Sequence, residues 1–397
     1  MSSIPIPSKL NFNAVEVLLN AVNSIDVGVA KDIELPPKLT FEGFGIEVSV
    51  LQVFFKWMRG NPGKLILKTT KNNSKAIDTF AESFFAYVLL STIWKKVEIV
   101  DLDGVNLKAV LKPHTERMNK KIEFLQGLPN DQVYLTCFDH YSKQKGLIHW
   151  FYPTHEHFVQ TPSALENTIY RALLSVGKIY KTRFNTVVSS IGDEIDQIIW
   201  ELFKNTDEHA TSDAINSTIL SPNTRGVCIK LLRDTKESLE KKADGHLGLS
   251  KYYGSVAEQQ AFFLEISVFD SGPGLVKRFM GSNWNSDVKI QDEVLTVKEC
   301  LRKGSTSVDD WKGEQKGFGL NEVLVVLSKL RGFIKIRTNR CSLYRDLAKH
   351  PVSPTNGDPD IELLDWISHS NHAFTTANES EGALITLAFP LPNTNKP

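Results

Sequence analysis

Glu201-Leu-Phe-Lys-Asn205-Thr-Asp-Glu-His-Ala210 puts a carboxylate and, four residues later, an amide on one face of a helix. Just upstream, Ile195, Ile198, Ile199, Leu202 and Phe203 recur at helical spacing. The helix, expected over about 191–210, therefore has a buried stripe and a wet edge. Glu201 and Asn205 sit on the wet edge, which suits a site for a metal and a nucleotide.

Downstream, Phe262–Phe269 reads as a strand that runs straight into Asp270-Ser-Gly272-Pro-Gly274. Lys303-Gly-Ser305-Thr306-Ser307 and Lys316-Gly317-Phe-Gly319-Leu320 follow, and Asn321–Leu330 is expected to be a helix. Gly332–Arg337 and Gly382–Phe389 read as further strands. Between them, Asn339–Glu381 is long, polar and interrupted by Pro351, Pro354 and Pro359, so part of it is expected to be loop.

Upstream, Lys38–Phe41, Leu65–Leu67, Val97–Val100, Val133–Thr136 and Leu147–Tyr152 read as strands. Ala14–Val22, Ile46–Trp57 and Ala76–Trp94 read as helices. This alternation predicts a layered α/β domain over 1–160. Pro153–Pro162 marks a boundary, a second α/β (α+β) domain occupies 163–390, and 391–397 is a tail.

The chain has 397 residues, enough for two cores. Lys plus Arg and Asp plus Glu both number 46, which argues against coating nucleic acid or an anionic membrane. The four cysteines, Cys137, Cys228, Cys300 and Cys341, are far apart and lack zinc or redox spacing. No apolar run is long enough to span a bilayer, and the first residues lack a signal pattern. The expectation is a soluble cytoplasmic protein.

Each polar motif has a chemical use. An amide oxygen can ligand Mg²⁺, which keeps few protein ligands beside phosphates and water. A carboxylate one turn earlier can deprotonate an attacking group. An aspartate at a strand end can accept from an adenine amino group, with glycines letting the chain pass close to the base. Glycines before a helix expose backbone N–H groups to phosphate. Singly these are ordinary turns and surface pairs; their order and their strand–helix setting make them specific.

Together they resemble the N box and the two glycine boxes of the GHKL ATP-binding superfamily, which includes DNA gyrase, the ninety-kilodalton heat-shock chaperones, histidine kinases and the MutL proteins. The likeness covers about 165–390. It implies a Bergerat-type two-layer α/β sandwich, a mixed sheet with helices on one face, binding ATP and Mg²⁺ under a lid over about 275–316. It implies Glu201 as catalytic base, Asn205 as Mg²⁺ ligand and Asp270 as the adenine acceptor, with Gly272 and Gly274 beneath the base. Gly317, Gly319 and Leu320 would close on the phosphates, with Lys303, Ser305, Thr306 and Ser307 as phosphate contacts. The last strand departs from the gyrase-like branch, which has Gly-Thr where this chain has Gly382-Ala383. Alanine offers no side-chain hydrogen bond, so that part of adenine recognition is weakened or moved. Glu208-His209-Ala210 is closer to the kinase-like branch.

The resemblance leaves three activities open: ATP hydrolysis driving lid closure and partner regulation, phosphotransfer to a protein Ser or Thr as in anti-sigma-factor kinases, and a nucleotide-gated binding module without turnover. The strand–helix–strand order of 1–160 resembles small STAS-type domains, the substrates of those kinases, so a protein partner is expected through this part. A homodimer stays open, and nucleic acid is not indicated. A sensor histidine kinase needs a phospho-accepting histidine on a helix; His114 follows Pro113 in a polar segment expected to lack that helix. His155 and His157 lack further metal ligands, and Trp150-Phe151-Tyr152 is expected to be buried strand.

Overall fold

Alternating apolar and polar residues along 224–235, 260–270, 333–339 and 380–390 build the sheet that positions everything else. The computed structural model describes residues 3–26, 28–128, 131–177, 181–257, 260–302, 319–352 and 361–392. The first part contains β1 (Ile4–Pro5), β2 (Lys9–Leu10), α1 (Phe12–Asn23), β3 (Lys31–Leu35), β4 (Thr40–Phe41) and α2 (Ile46–Arg59). It continues with β5 (Pro62–Leu67), α3 (Ser74–Ala81), α4 (Phe84–Ile93), β6 (Ile99–Val100) and α5 (Lys108–Phe124). Then come β7 (Gln132–Phe138), α6 (Lys143–Gly146), α7 (Glu166–Val176), α8 (Lys181–His209), β8 (Thr224–Thr235), α9 (Lys236–Lys242) and α10 (Leu247–Val256). The last elements are β9 (Gln260–Asp270), α11 (Leu275–Met280), α12 (Ile290–Leu301), α13 (Gly319–Lys329), β10 (Phe333–Asn339), β11 (Cys341–Asp346), β12 (Leu364–Asp365) and β13 (Ser380–Pro390).

The chain is thus mixed α/β. Strands β1, β3, β5 and β6 form a parallel sheet in the order β1-β3-β5-β6, with helices as the crossovers that parallel pairing requires. The second sheet has seven strands in the order β12-β11-β10-β13-β9-β8-β7. Every pairing in it is antiparallel, whereas a mixed sheet was expected. Its edge strand β7 comes from the 1–160 segment, so the sheet crosses the expected boundary, and one apolar core runs from Ile4 to Phe389.

The two faces of this sheet differ. Val227, Ile229, Ile266, Val268, Ile334, Ile336, Ile385 and Leu387 share an apolar face. Helix α8 lies on that side: its Asp207 pairs with Arg225, which points the same way as Val227. The opposite face carries Lys230, Glu265, Ser267 and Thr386. Helix α2 covers it. Glu47 pairs with Lys230 at 2.7 Å, and Gln52 donates to Glu381 O at 3.2 Å. Phe55 stacks on Phe269 with ring centroids 6.3 Å apart. The sheet is therefore covered on both faces, beyond the two layers expected.

Several local expectations change. Ala76–Trp94 is two helices bent by 88°, because Ser83 is extended and its Oγ accepts from Ala86 N at 3.1 Å, starting a new helix. Among the described residues no single helix is long and apolar enough to cross a membrane. His114 lies inside helix α5 despite Pro113, with Nε2 3.3 Å from Asp78 of α3. Leu147–Tyr152 is a turn, not a strand; its aromatics pack inward, Phe151 against Phe203 of α8 at 4.3 Å. The polar 339–381 segment contains strand β11, paired to β10 as a hairpin.

Removing the cation of the α2–sheet pair strands Glu47 and Glu265 in a desolvated layer. Lys230→Met is expected to cost about 3–5 kcal/mol of stability, measured by urea unfolding of the full chain. A loss below about 1 kcal/mol contradicts a structural role for the pair.

Candidate nucleotide site

Ile195, Ile198, Ile199, Leu202 and Phe203 are buried, and this fixes the rotation of α8. Glu201 and Asn205 are left half-exposed along the flank of that buried stripe. Gln197 Nε2 donates to Glu201 Oε1 at 2.8 Å. Burial pushes the Glu201 carboxyl above its ordinary range; Glu322 and Glu208 add to this and Lys204 opposes it. Asn205 Nδ2 donates to the Glu201 carbonyl at 2.9 Å. Its Oδ1 has no partner among the described residues, which leaves one hard oxygen for a cation.

Helix α13 opens on the same edge. A Cβ on Gly319 would stand 2.7 Å from Glu201 Oε2 and 3.6 Å from Asn205 Nδ2. A side chain here would have to displace the Glu201 carboxylate. The next residue, Leu320, is buried and anchors the helix.

Asp270 ends β9 on the apolar face of the sheet, paired opposite Arg225. Its Oδ1 accepts from Gly272 N at 2.8 Å and Ala383 N at 3.3 Å. Burial pushes its carboxyl up to about 6, with the two backbone donors opposing. A Cβ on Gly272 would lie 2.6 Å from both the Cα and the carbonyl oxygen of Ala210, so the turn abuts the end of α8. Gly274 has φ +82°, and a Cβ there would meet Asn339 Oδ1 and Thr338 Oγ1 at 2.7 Å.

The structure therefore brings Glu201, Asn205, Gly319 and Leu320 together, and brings Asp270, Gly272 and Gly274 to the end of the same helix. Lys303, Ser305, Thr306, Ser307 and Gly317 lie outside the described residues.

Other contributors were not visible in the sequence. Thr338 Oγ1 accepts from Leu275 N at 2.9 Å and Asn339 Oδ1 from Val276 N at 3.1 Å, holding the start of α11. Asn339 Nδ2 also donates to Pro273 O at 2.9 Å. Arg59 at the end of α2 donates to Ser271 O at 2.5 Å and Pro222 O at 2.8 Å, and its Nε pairs with Glu381 at 3.0 Å. A polar pair ending a strand, or an arginine ending a helix, is too common to single out; only the fold shows that each faces the Asp270 turn. The Gly382-Ala383 departure also has a local explanation: position 383 contributes its backbone N–H to Asp270.

The residues present suit a magnesium nucleotide. Among the described residues no cluster of three or more His, Cys, Asp or Glu could hold a metal unaided. One amide oxygen beside one carboxylate matches a cation whose remaining ligands are phosphates and water. Comparison with family models, curated proteins and solved structures finds no match to this chain.

Gly382 has φ +74°, and a Cβ there would sit 1.9 Å from Asp270 O. Gly382→Ala is expected to destabilise the chain by about 2–5 kcal/mol, from the left-handed backbone and the overlap combined. Urea unfolding measures this, and an unchanged midpoint contradicts the approach described.

Proposed function

We propose that this chain is a Mg²⁺-dependent ATPase of the GHKL type. The nucleotide would lie along the exposed edge of α8, between the Asp270 turn and the start of α13. What carries the reading is the convergence of three motifs, separate in sequence, on that one helix. Gly319 closes on Glu201 and Asn205, and Gly272 abuts Ala210.

Each residue then has a role. Asp270 accepts the adenine amino hydrogen, while its Oδ1 is held by the Gly272 and Ala383 N–H groups. Asn205 Oδ1 holds the magnesium, which when bound neutralises charge on the phosphate oxygens. Glu201 takes the proton from the attacking water; burial makes it a better base than an ordinary carboxylate. Gln197 orients that carboxylate through Oε1. A protein hydroxyl is chemically equivalent to water as a proton donor to Glu201, so phosphotransfer to a partner Ser or Thr is the second reading.

A γ-labelled ATP assay on the full chain, alone and with candidate protein partners, separates the two. Labelled phosphate in solution supports hydrolysis, and label on a partner supports the kinase. Glu201→Ala is expected to lower turnover about 10²–10⁴-fold while ATP binding persists. Wild-type turnover in that variant removes the base assignment. Asn205→Ala and Asp270→Asn are each expected to weaken nucleotide binding.

Acid gives an independent check. Asp270, raised to about 6, gains a proton as pH falls through that value and changes from acceptor to donor. Facing an amino group, it then repels adenine. ATP affinity, measured by equilibrium dialysis, is expected to fall as pH drops from about 7 to 5. Asp270→Asn should flatten that profile.

A further inference from the structure

A second concave site lies outside the nucleotide reading. A cleft of about 1090 Å³ opens between α4, α5, β7 and the turn that follows α6. This is just above the roughly 300–1,000 Å³ of small-molecule sites. Trp94, Phe124 and Trp150 wall it. The Trp150 ring is fixed: its Nε1 donates to Ile122 O at 3.1 Å, and the Arg171 guanidinium stands 4.8 Å from its centroid.

The buried end of the cleft has an unmet polar group. Thr136 is 5% exposed, and its hydroxyl makes no well-aligned hydrogen bond, its contact being with the neighbouring Tyr87 hydroxyl. The Tyr87 hydroxyl beside it donates instead to Asn119 Oδ1 at 2.8 Å. A buried hydroxyl short of a well-aligned partner is unfavourable, and a polar atom of a ligand would satisfy it.

The rim has an excess of cations. Lys112, Lys120, Lys145 and Arg171 line it against Glu116 and Glu123. Lys112 pairs with Glu116 at 3.8 Å, while Lys120 and Lys145 have no carboxylate partner among the described residues. The hydroxyl, the fixed aromatic walls and the unpaired lysines converge on one kind of ligand.

We propose that this cleft binds a planar aromatic or heterocyclic small molecule bearing an acidic group. The ring lies against Trp150, a polar atom meets Thr136 Oγ1, and the acidic group faces Lys120 and Lys145. This site shares no residue with the nucleotide site and does not depend on ATP binding.

The test uses 8-anilinonaphthalene-1-sulfonate, an aromatic anion, titrated calorimetrically into the full chain. One saturable site is expected. The double variant Lys120→Glu/Lys145→Glu changes only exposed side chains and is expected to weaken binding about tenfold or more, with the circular dichroism spectrum unchanged. N-phenyl-1-naphthylamine, the same ring system without the sulfonate, is expected to bind more weakly than the sulfonate. Asn205→Ala is expected to leave the probe's affinity intact. The proposal is overturned if no saturable site exists or if the charge reversal changes nothing. It is equally overturned if the neutral probe binds as tightly, or if Asn205→Ala abolishes binding and so places the probe at the nucleotide site.

Discussion

The Glu47–Lys230 ion pair, 2.7 Å long, holds helix α2 against the polar face of the seven-stranded sheet. Two charges withdrawn from water are tolerated only when they find each other and further polar partners. Gly45 N reaches Glu265 Oε1 at 3.4 Å, and Ser267 and Thr386 share a hydrogen bond at 3.0 Å. Gly45 has φ +68°, and a Cβ there would meet Thr386 Oγ1 at 2.5 Å. The helix therefore starts in contact with the sheet. This layer joins the parallel-sheet part of the chain to the antiparallel sheet, and it fixes where the end of α2 can reach.

What it reaches is the Asp270 turn. Arg59, at the last position of α2, binds Ser271 O and Glu381 on either side of Asp270 and Gly382. From the other face, α8 delivers Ala210 to Gly272 and its Glu201–Asn205 edge to Gly319. The turn is thus gripped between a helix from each face of the sheet. Arg225 reinforces the α8 side: its guanidinium is buried and binds Asp139 at 2.8 Å and Asp207 at 3.1 Å. Tyr152 adds a hydrogen bond to the same Asp207 at 2.5 Å.

The chemistry of the site follows from unequal burial. Asp270 is nearly enclosed, so its ionised form depends on two backbone donors and stays marginal near pH 6. Glu201 is half-exposed, so it keeps access to water while burial still raises its basicity. Asn205 is neutral and loses no charge–solvent interaction on partial burial, in keeping with the cation-ligand role proposed for it.

Much of the candidate site was legible in the sequence because its parts are local. Helical periodicity alone puts Glu201 and Asn205 together along one edge of the stripe formed by Ile198, Ile199 and Leu202. The apolar run ending at Asp270, with glycines at once behind it, defines a strand and a turn from neighbouring residues only. Long-range pairing was not legible. Strand β7 joins β8 through partners such as Val133 and Ile229, and no local pattern states which distant strand completes an edge. The Leu147–Tyr152 aromatics have strand propensity, yet packing on Phe203 makes them a turn. Asn339 and Arg59 act on the Asp270 turn only because the sheet and α2 bring them there. The sequence by itself determined the helix faces, the strand ends and the residue chemistry, since each depends on spacing along the chain. The tertiary structure alone decided which strand is the sheet's edge, what covers its polar face and which distant side chains hold the turn, since each depends on contacts between residues far apart in sequence.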